Sequence, residues 1–125
     1  MIKEAFVSFE VAKLLKEKGF HEPCIATYNS TTKKFHVEEL YLDWSTQWES
    51  YISVPTHQMV MSWLRESHFL FIQITVDFSD TAYPMYDSTV INLATCDKIA
   101  ITGYNRYNYK DAVEAALKYC LENLI

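Results

Sequence analysis

One stretch, Ser53 to Asp77, constrains the fold more than any other. It reads S-V-P-T-H-Q-M-V-M-S-W-L-R-E-S-H-F-L-F-I-Q-I-T-V-D and carries two hydrophobic periods in succession. Pro55 and Thr56 form a helix start: proline's fixed φ suits a first helical turn, and a threonine hydroxyl accepts from an otherwise unpaired amide. Met59, Val60, Trp63 and Leu64 follow at helical spacing, which makes one apolar face that has to be covered. The run F-L-F-I-Q-I-T-V then changes period, and its β-branched and aromatic content favours a strand. Phe69, Phe71 and Gln73 are expected on one side of it and Leu70, Ile72 and Ile74 on the other. Both sides are mostly apolar. The spacing therefore predicts a central strand covered on each face, with the preceding helix as one cover.

The rest of the chain can be fitted around that pair. Ser8 caps a helix over S-F-E-V-A-K-L-L-K-E-K-G, in which Val11, Leu14 and Leu15 are the buried stripe, Gly19 is the left-handed stop, and the lysines form a solvated outer face. C-I-A-T-Y and F-H-V-E-E-L-Y-L flank the polar cluster N-S-T-T-K-K and read as a hairpin. D-W-S-T-Q-W-E-S has no clear period. Its Trp44 and Trp48 lie four apart, so they share one face if the segment forms a helical turn; the alternative is a surface excursion returning through Y-I-S-V. After the central strand, S-T-V-I-N-L and K-I-A-I-T-G-Y-N-R-Y read as two further antiparallel strands. The last helix opens at Asn108 or Tyr109 and places Val113, Ala116, Leu117, Cys120, Leu121 and Leu124 on one face. The expectation is one α+β domain over residues 1–125, with a mainly antiparallel sheet and helices near 8–18, 56–67 and 109–123. Its element order is α-β-β-α-β-β-β-α.

Composition narrows the function. At 125 residues, half of them hydrophobic, the chain can bury a real core. A net charge of −5 argues against a nucleic-acid backbone as the main partner. The chain contains no apolar run of the roughly 18 residues that a membrane-spanning helix needs, and glutamates interrupt M-I-K-E-A-F-V-S-F-E-V where a signal peptide requires an apolar region. Cys24, Cys96 and Cys120 are odd in number and far apart, which fits reduced thiols. Together these give a cytoplasmic expectation.

Three blocks carry a resemblance. K-E-A-F-V-S-F-E-V-A-K-L-L-K-E-K-G-F, P-T-H-Q-M-V-M-S-W-L-R-E and E-A-A-L-K-Y-C-L-E-N-L-I, about a third of the chain, resemble corresponding stretches of small uncharacterised proteins from Bacteroides-type gut bacteria and their phages and mobile elements. The resemblance implies an intracellular protein of phage or mobile-element origin. It transfers no activity and no site residues.

The titratable and nucleophilic side chains fit plainer structural roles better than catalytic or metal chemistry. His21 and Cys24 in H-E-P-C are two metal ligands where zinc needs about four, so no metal or cofactor is expected. No G-x-S-x-G or protease-type Cys–His pattern is present. His57 in a first helical turn is expected to be a surface histidine beside a cap rather than a base. Glu38 and Glu39 point to opposite faces of a strand, and Asp77 with Asp80 fits turn chemistry better than paired acid–base work. Asp43 and Glu49 are a third carboxylate pair without a catalytic partner. The second half has the α-β-β-β-α order of double-stranded-RNA-binding domains, but the start of its last helix offers only Arg106 and Lys110.

What remains is aromatic. Tyr83 and Tyr86 precede one strand, and Tyr104, Tyr107 and Tyr109 end the next, with Arg106 among them. If the strands pair, these residues gather at one sheet end. Tyrosine offers large contact area at low entropic cost. The expected binding residues are Tyr83, Tyr86, Tyr104, Arg106 and Tyr107, in a non-enzymatic accessory protein that binds an unidentified protein partner through this surface. The alternative is a small ligand or nucleotide stacked on the same rings.

Overall fold

The computed structural model describes residues 3–78, 83–104 and 106–125. The chain divides into two compact units, Met1–Thr56 and His57–Ile125. The Asp80 half of the Asp77–Asp80 pair lies outside the described residues.

In the first unit, α1 spans Phe9–Glu17, β1 Cys24–Asn29, β2 Phe35–Leu42, α2 Trp44–Gln47 and β3 Tyr51–Val54. Ser8 caps α1 as its sequence predicts, its hydroxyl accepting from the Val11 amide at 3.2 Å, and Gly19 leaves the helix at φ 87°. Val11, Ala12 and Leu15 are buried. The hairpin exists because Asn29 makes it: its Oδ1 accepts from the amides of Thr31 and Thr32, both at 2.9 Å, so the side chain stands in for a turn's missing backbone acceptor. The strands form an antiparallel sheet in the order β2-β1-β3, with β1 at its centre. The segment without a period supplies α2, and the Y-I-S-V that follows it is β3.

In the second unit, α3 spans His57–His68, β4 Leu70–Asp77, β5 Met85–Asn92, β6 Asp97–Ile101 and α4 Tyr109–Asn123. The sheet is antiparallel in the order β4-β5-β6. Helix α4 packs on β5 and β4, and α3 packs on β4 and α4. Asn108, in extended conformation, caps α4 by accepting from the Asp111 amide at 2.8 Å. Ala112, Val113, Ala116, Leu117, Cys120 and Leu121 are buried along one face. At about 1.5–3 kcal/mol for each large aliphatic side chain removed from water, that stripe is a principal source of this unit's stability.

The architecture is α+β, with the expected elements in the expected order and with α2 as a fourth helix and β3 as a further strand between the hairpin and α3. Five expectations need correction. The strands form two small sheets rather than one. F-L-F-I-Q-I-T-V is an edge strand, and β5 is the central one; Leu70 and Ile72 are buried, whereas Gln73, Thr75 and Val76 are exposed. Phe69 sits outside the strand at φ 55°, where the chain turns from α3 into β4. In α3 the buried stripe is His57, Val60 and Leu64, and Trp63 is only half-buried. The run T-G-Y-N-R-Y leaves β6 after Ile101 and returns to β5 through a single bridge between Arg106 and Tyr86. Among the described residues, no helix is long and apolar enough to cross a membrane.

Candidate functional site

The tyrosine-rich surface is built on that bridge. Tyr86 lies near the start of β5, and its amide donates to the Arg106 carbonyl at 2.7 Å while the Arg106 amide donates back at 3.0 Å. This two-way exchange fixes the segment after β6 at the end of the sheet where β5 begins. The extended backbone of Asn108 then turns the chain into α4, so Tyr109 is directed back onto Tyr86. Their rings meet edge to face, with centroids 6.0 Å apart at 88°, the arrangement aromatic quadrupoles prefer. Tyr107 and Tyr109 are thus separated by a helix onset and do not share a strand face.

The remaining rings are open to solvent. Tyr83, Tyr104 and Tyr107 are 72%, 65% and 73% exposed. Tyr86, Arg106 and Tyr109 are brought together, and Tyr83, Tyr104 and Tyr107 lie on the segments that this bridge holds.

An open groove of about 340 Å³ adjoins this surface. One wall is the end of β6 and the residues after it, Ile101, Thr102 and Gly103; the other is α4, with Lys118, Tyr119 and Glu122; Arg106 joins the lining. None of the exposed tyrosines lines it. Gly103 makes the close approach of the two walls possible. A Cβ there would lie 2.6 Å from Ser88 Oγ and 2.9 Å from both Cα and the carbonyl oxygen of Ala112, and backbone atoms cannot move aside cheaply. Ser88 is itself fully buried, and its hydroxyl lies 2.9 Å from Thr102 Oγ1. No residue spacing in the sequence marks this groove, although a glycine between β6 and α4 is a signal for close backbone approach.

His57 departs from its expected surface position. It is 4% exposed, and its Nε2 lies 2.8 Å from Oε1 of Glu114 on α4. The tautomer protonated at Nε2 donates this bond. A histidine oriented by a carboxylate is part of a catalytic triad's logic, but a ring this deeply covered offers a substrate no approach, and the pair's evident work is to tie α3 to α4. Sequence spacing held a clue, since His57, Val60 and Leu64 follow i, i+3, i+7.

The thiols are equally quiet. Burial, with Asp43 and Glu22 adding repulsion, pushes Cys24 up to about 12, and burial does the same to Cys120. Both stay protonated at neutral pH and supply neither a nucleophile nor a thiolate ligand. The Cys24 thiol donates to the Glu22 carbonyl at 3.4 Å. His21 instead pairs with Asp43, Nδ1 to Oδ2 at 3.1 Å. Among the described residues, no three His, Cys, Asp or Glu side chains are grouped to hold a metal ion. Of the other carboxylates, Glu38 accepts from the Thr27 hydroxyl at 3.1 Å, and Glu39 and Glu49 are exposed.

Comparison with protein-family models, with curated proteins and with solved structures yields no match for this chain.

Proposed function

We propose that this is a non-enzymatic interaction protein that binds a protein partner in the cytoplasm through the surface of Tyr83, Tyr86, Tyr104, Arg106 and Tyr107. One observation carries the reading: the Tyr86–Arg106 exchange holds the backbone in place while Tyr83, Tyr104 and Tyr107 stay mostly in water. Rings on a backbone already ordered lose little further entropy on binding, and tyrosine and arginine are the residues that anchor protein interfaces. The buried His57 and the protonated Cys24 and Cys120 favour no enzymatic alternative. A nucleotide stacked on the same tyrosines is the second reading, but the groove at this surface draws its walls from other residues.

The resemblance of the three helical blocks suggests Bacteroides-type bacteria, or cells carrying their phages, as the place to look for the partner. The test is capture from such a host with wild type and Tyr107→Ala, alongside a melting curve for each. Partner capture weakened by about 1–2 kcal/mol with an unchanged melting temperature supports the reading. Capture unaffected by the substitution, or a nucleotide that raises the wild-type melting temperature where no partner is retained, rejects it.

A further inference from the structure

Among the described residues, one wall of the groove beside the tyrosines is a strand edge with no neighbouring strand. β6 is the outermost strand in the order β4-β5-β6. The Thr102 amide donates to the Ser88 carbonyl at 2.7 Å, so Thr102 faces β5. Antiparallel ladders alternate, and the neighbouring Ile101 therefore directs its own N–H and C=O away from β5, toward the groove. On the facing wall, Ala115, Tyr119 and Glu122 follow i, i+4, i+7 along α4, and the small Ala115 leaves room opposite the strand. The lining carries two cations, Arg106 and Lys118, and one anion, Glu122, so it is +1 in a chain of net charge −5.

We propose that this groove receives an extended peptide segment, which pairs with the Ile101 edge as an added strand and sets an acidic side chain against Arg106 and Lys118. A strand edge beside a helix is a recurrent setting for such addition: main-chain hydrogen bonds supply affinity, and pockets between the elements select side chains. A volume of about 340 Å³ holds a few side chains rather than a folded surface. The proposal rests on the interaction reading above, since the peptide would be part of the same partner, but of the residues in that surface the groove shares only Arg106.

The experiment is selection of a displayed random octapeptide library on the wild-type protein. Selected peptides are then titrated against wild type, Ala115→Trp, which fills the groove, and Arg106→Glu, which reverses its charge. Peptides enriched for an acidic residue within a β-branched run are expected. Their affinity should fall at least tenfold in both variants at unchanged melting temperature, and the Ile101 amide should gain hydrogen-exchange protection when the peptide is bound. If Ala115→Trp fails to fold, Lys118→Glu takes its place. Four results would overturn the proposal: no enrichment over the naive library, affinity indifferent to the variants, inorganic phosphate competing for the same lining, or a self-association of the chain that Ala115→Trp abolishes. Tyr107→Ala run in parallel separates the two readings. Loss of host-partner capture without any selected peptide leaves the tyrosine surface standing and removes the groove; groove-dependent peptide binding with capture indifferent to Tyr107→Ala does the reverse.

Discussion

The aromatic cluster around α2 in the first unit and the one at the sheet end in the second are built differently. In the first, rings are packed against rings. Trp44 and Trp48 stack at 5.6 Å and 22°, and Tyr51 meets Trp48 edge-on at 5.7 Å. Phe35 lies 5.2 Å from Phe6 and 5.5 Å from Tyr28, Phe9 lies 5.6 Å from Tyr28, and the Lys33 ammonium sits over the Phe9 ring at 5.2 Å. Trp44 also donates its Nε1–H to the Cys24 carbonyl at 2.7 Å, which joins α2 to β1. In the second unit, Tyr86 and Tyr109 touch and Trp63 meets His68 edge-on at 4.6 Å, whereas Tyr104 and Tyr107 stand mostly in water. Abundance of aromatic residues is therefore a poor guide to a binding surface. What distinguishes the two regions is whether the rings' faces are already occupied by the protein itself.

Substitutions should widen or erase this contrast. The largest effect is expected at Trp44, which is buried and hydrogen-bonded. Trp44→Ala should cost about 3–5 kcal/mol in urea denaturation, and a cost under about 1 kcal/mol would mean that the first unit's rings are dispensable to its fold. Tyr107→Ala should move stability by no more than about 0.5 kcal/mol, as exposed positions do, while it weakens partner capture; a stability loss comparable to that at Trp44 would dissolve the comparison. Phe35→Ala falls between in kind, with an exposed ring engaged on two sides, and about 0.5–1.5 kcal/mol per ring pair is expected from a double-mutant cycle with Tyr28→Ala.

The smallest effect concerns the thiols. Because folding raises the Cys24 and Cys120 pKa to about 12, the unfolded chain releases their protons first as pH rises. Their contribution to stability is present below the ordinary thiol pKa and is lost between about 9 and 12. Cys120→Ala should flatten part of that alkaline loss. In the native protein at neutral pH, iodoacetamide should modify the exposed Cys96 and spare both buried thiols; labelling of Cys24 at a rate near that of Cys96 would contradict its burial.

The helices were legible because their information is local. α1, α3 and α4 have apolar stripes, and α1 and α4 also have the caps their sequences announce at Ser8 and Asn108, so their ends fall within a residue or so of the expected ones. The β4 error has a definite origin. Alternation shows which side chains share a face, but whether a strand is central depends on which strands pair beside it, and only β5 does. The environment of His57 is non-local for the same reason: the stripe it shares with Val60 and Leu64 points to burial, but its partner Glu114 lies 57 residues further on. That Tyr83, Tyr104 and Tyr107 are exposed was legible because exposure beside a strand end follows from local turn signals. The bridge through Arg106 depends on two segments meeting, and the groove depends on a third.

Gly103 marks how abruptly tolerance changes along this chain. Consider a library holding every amino acid at each position from 101 to 109, sorted only for folded protein. Position 103 should admit glycine alone, because the space a Cβ would occupy is already filled by Ser88 and the backbone of Ala112. Positions 104 and 107, with rings in water, should accept nearly any residue. The same library sorted for partner capture should go dark at 104 and 107 as well, so that neighbouring columns report separately on what the chain needs to exist and what it needs to act.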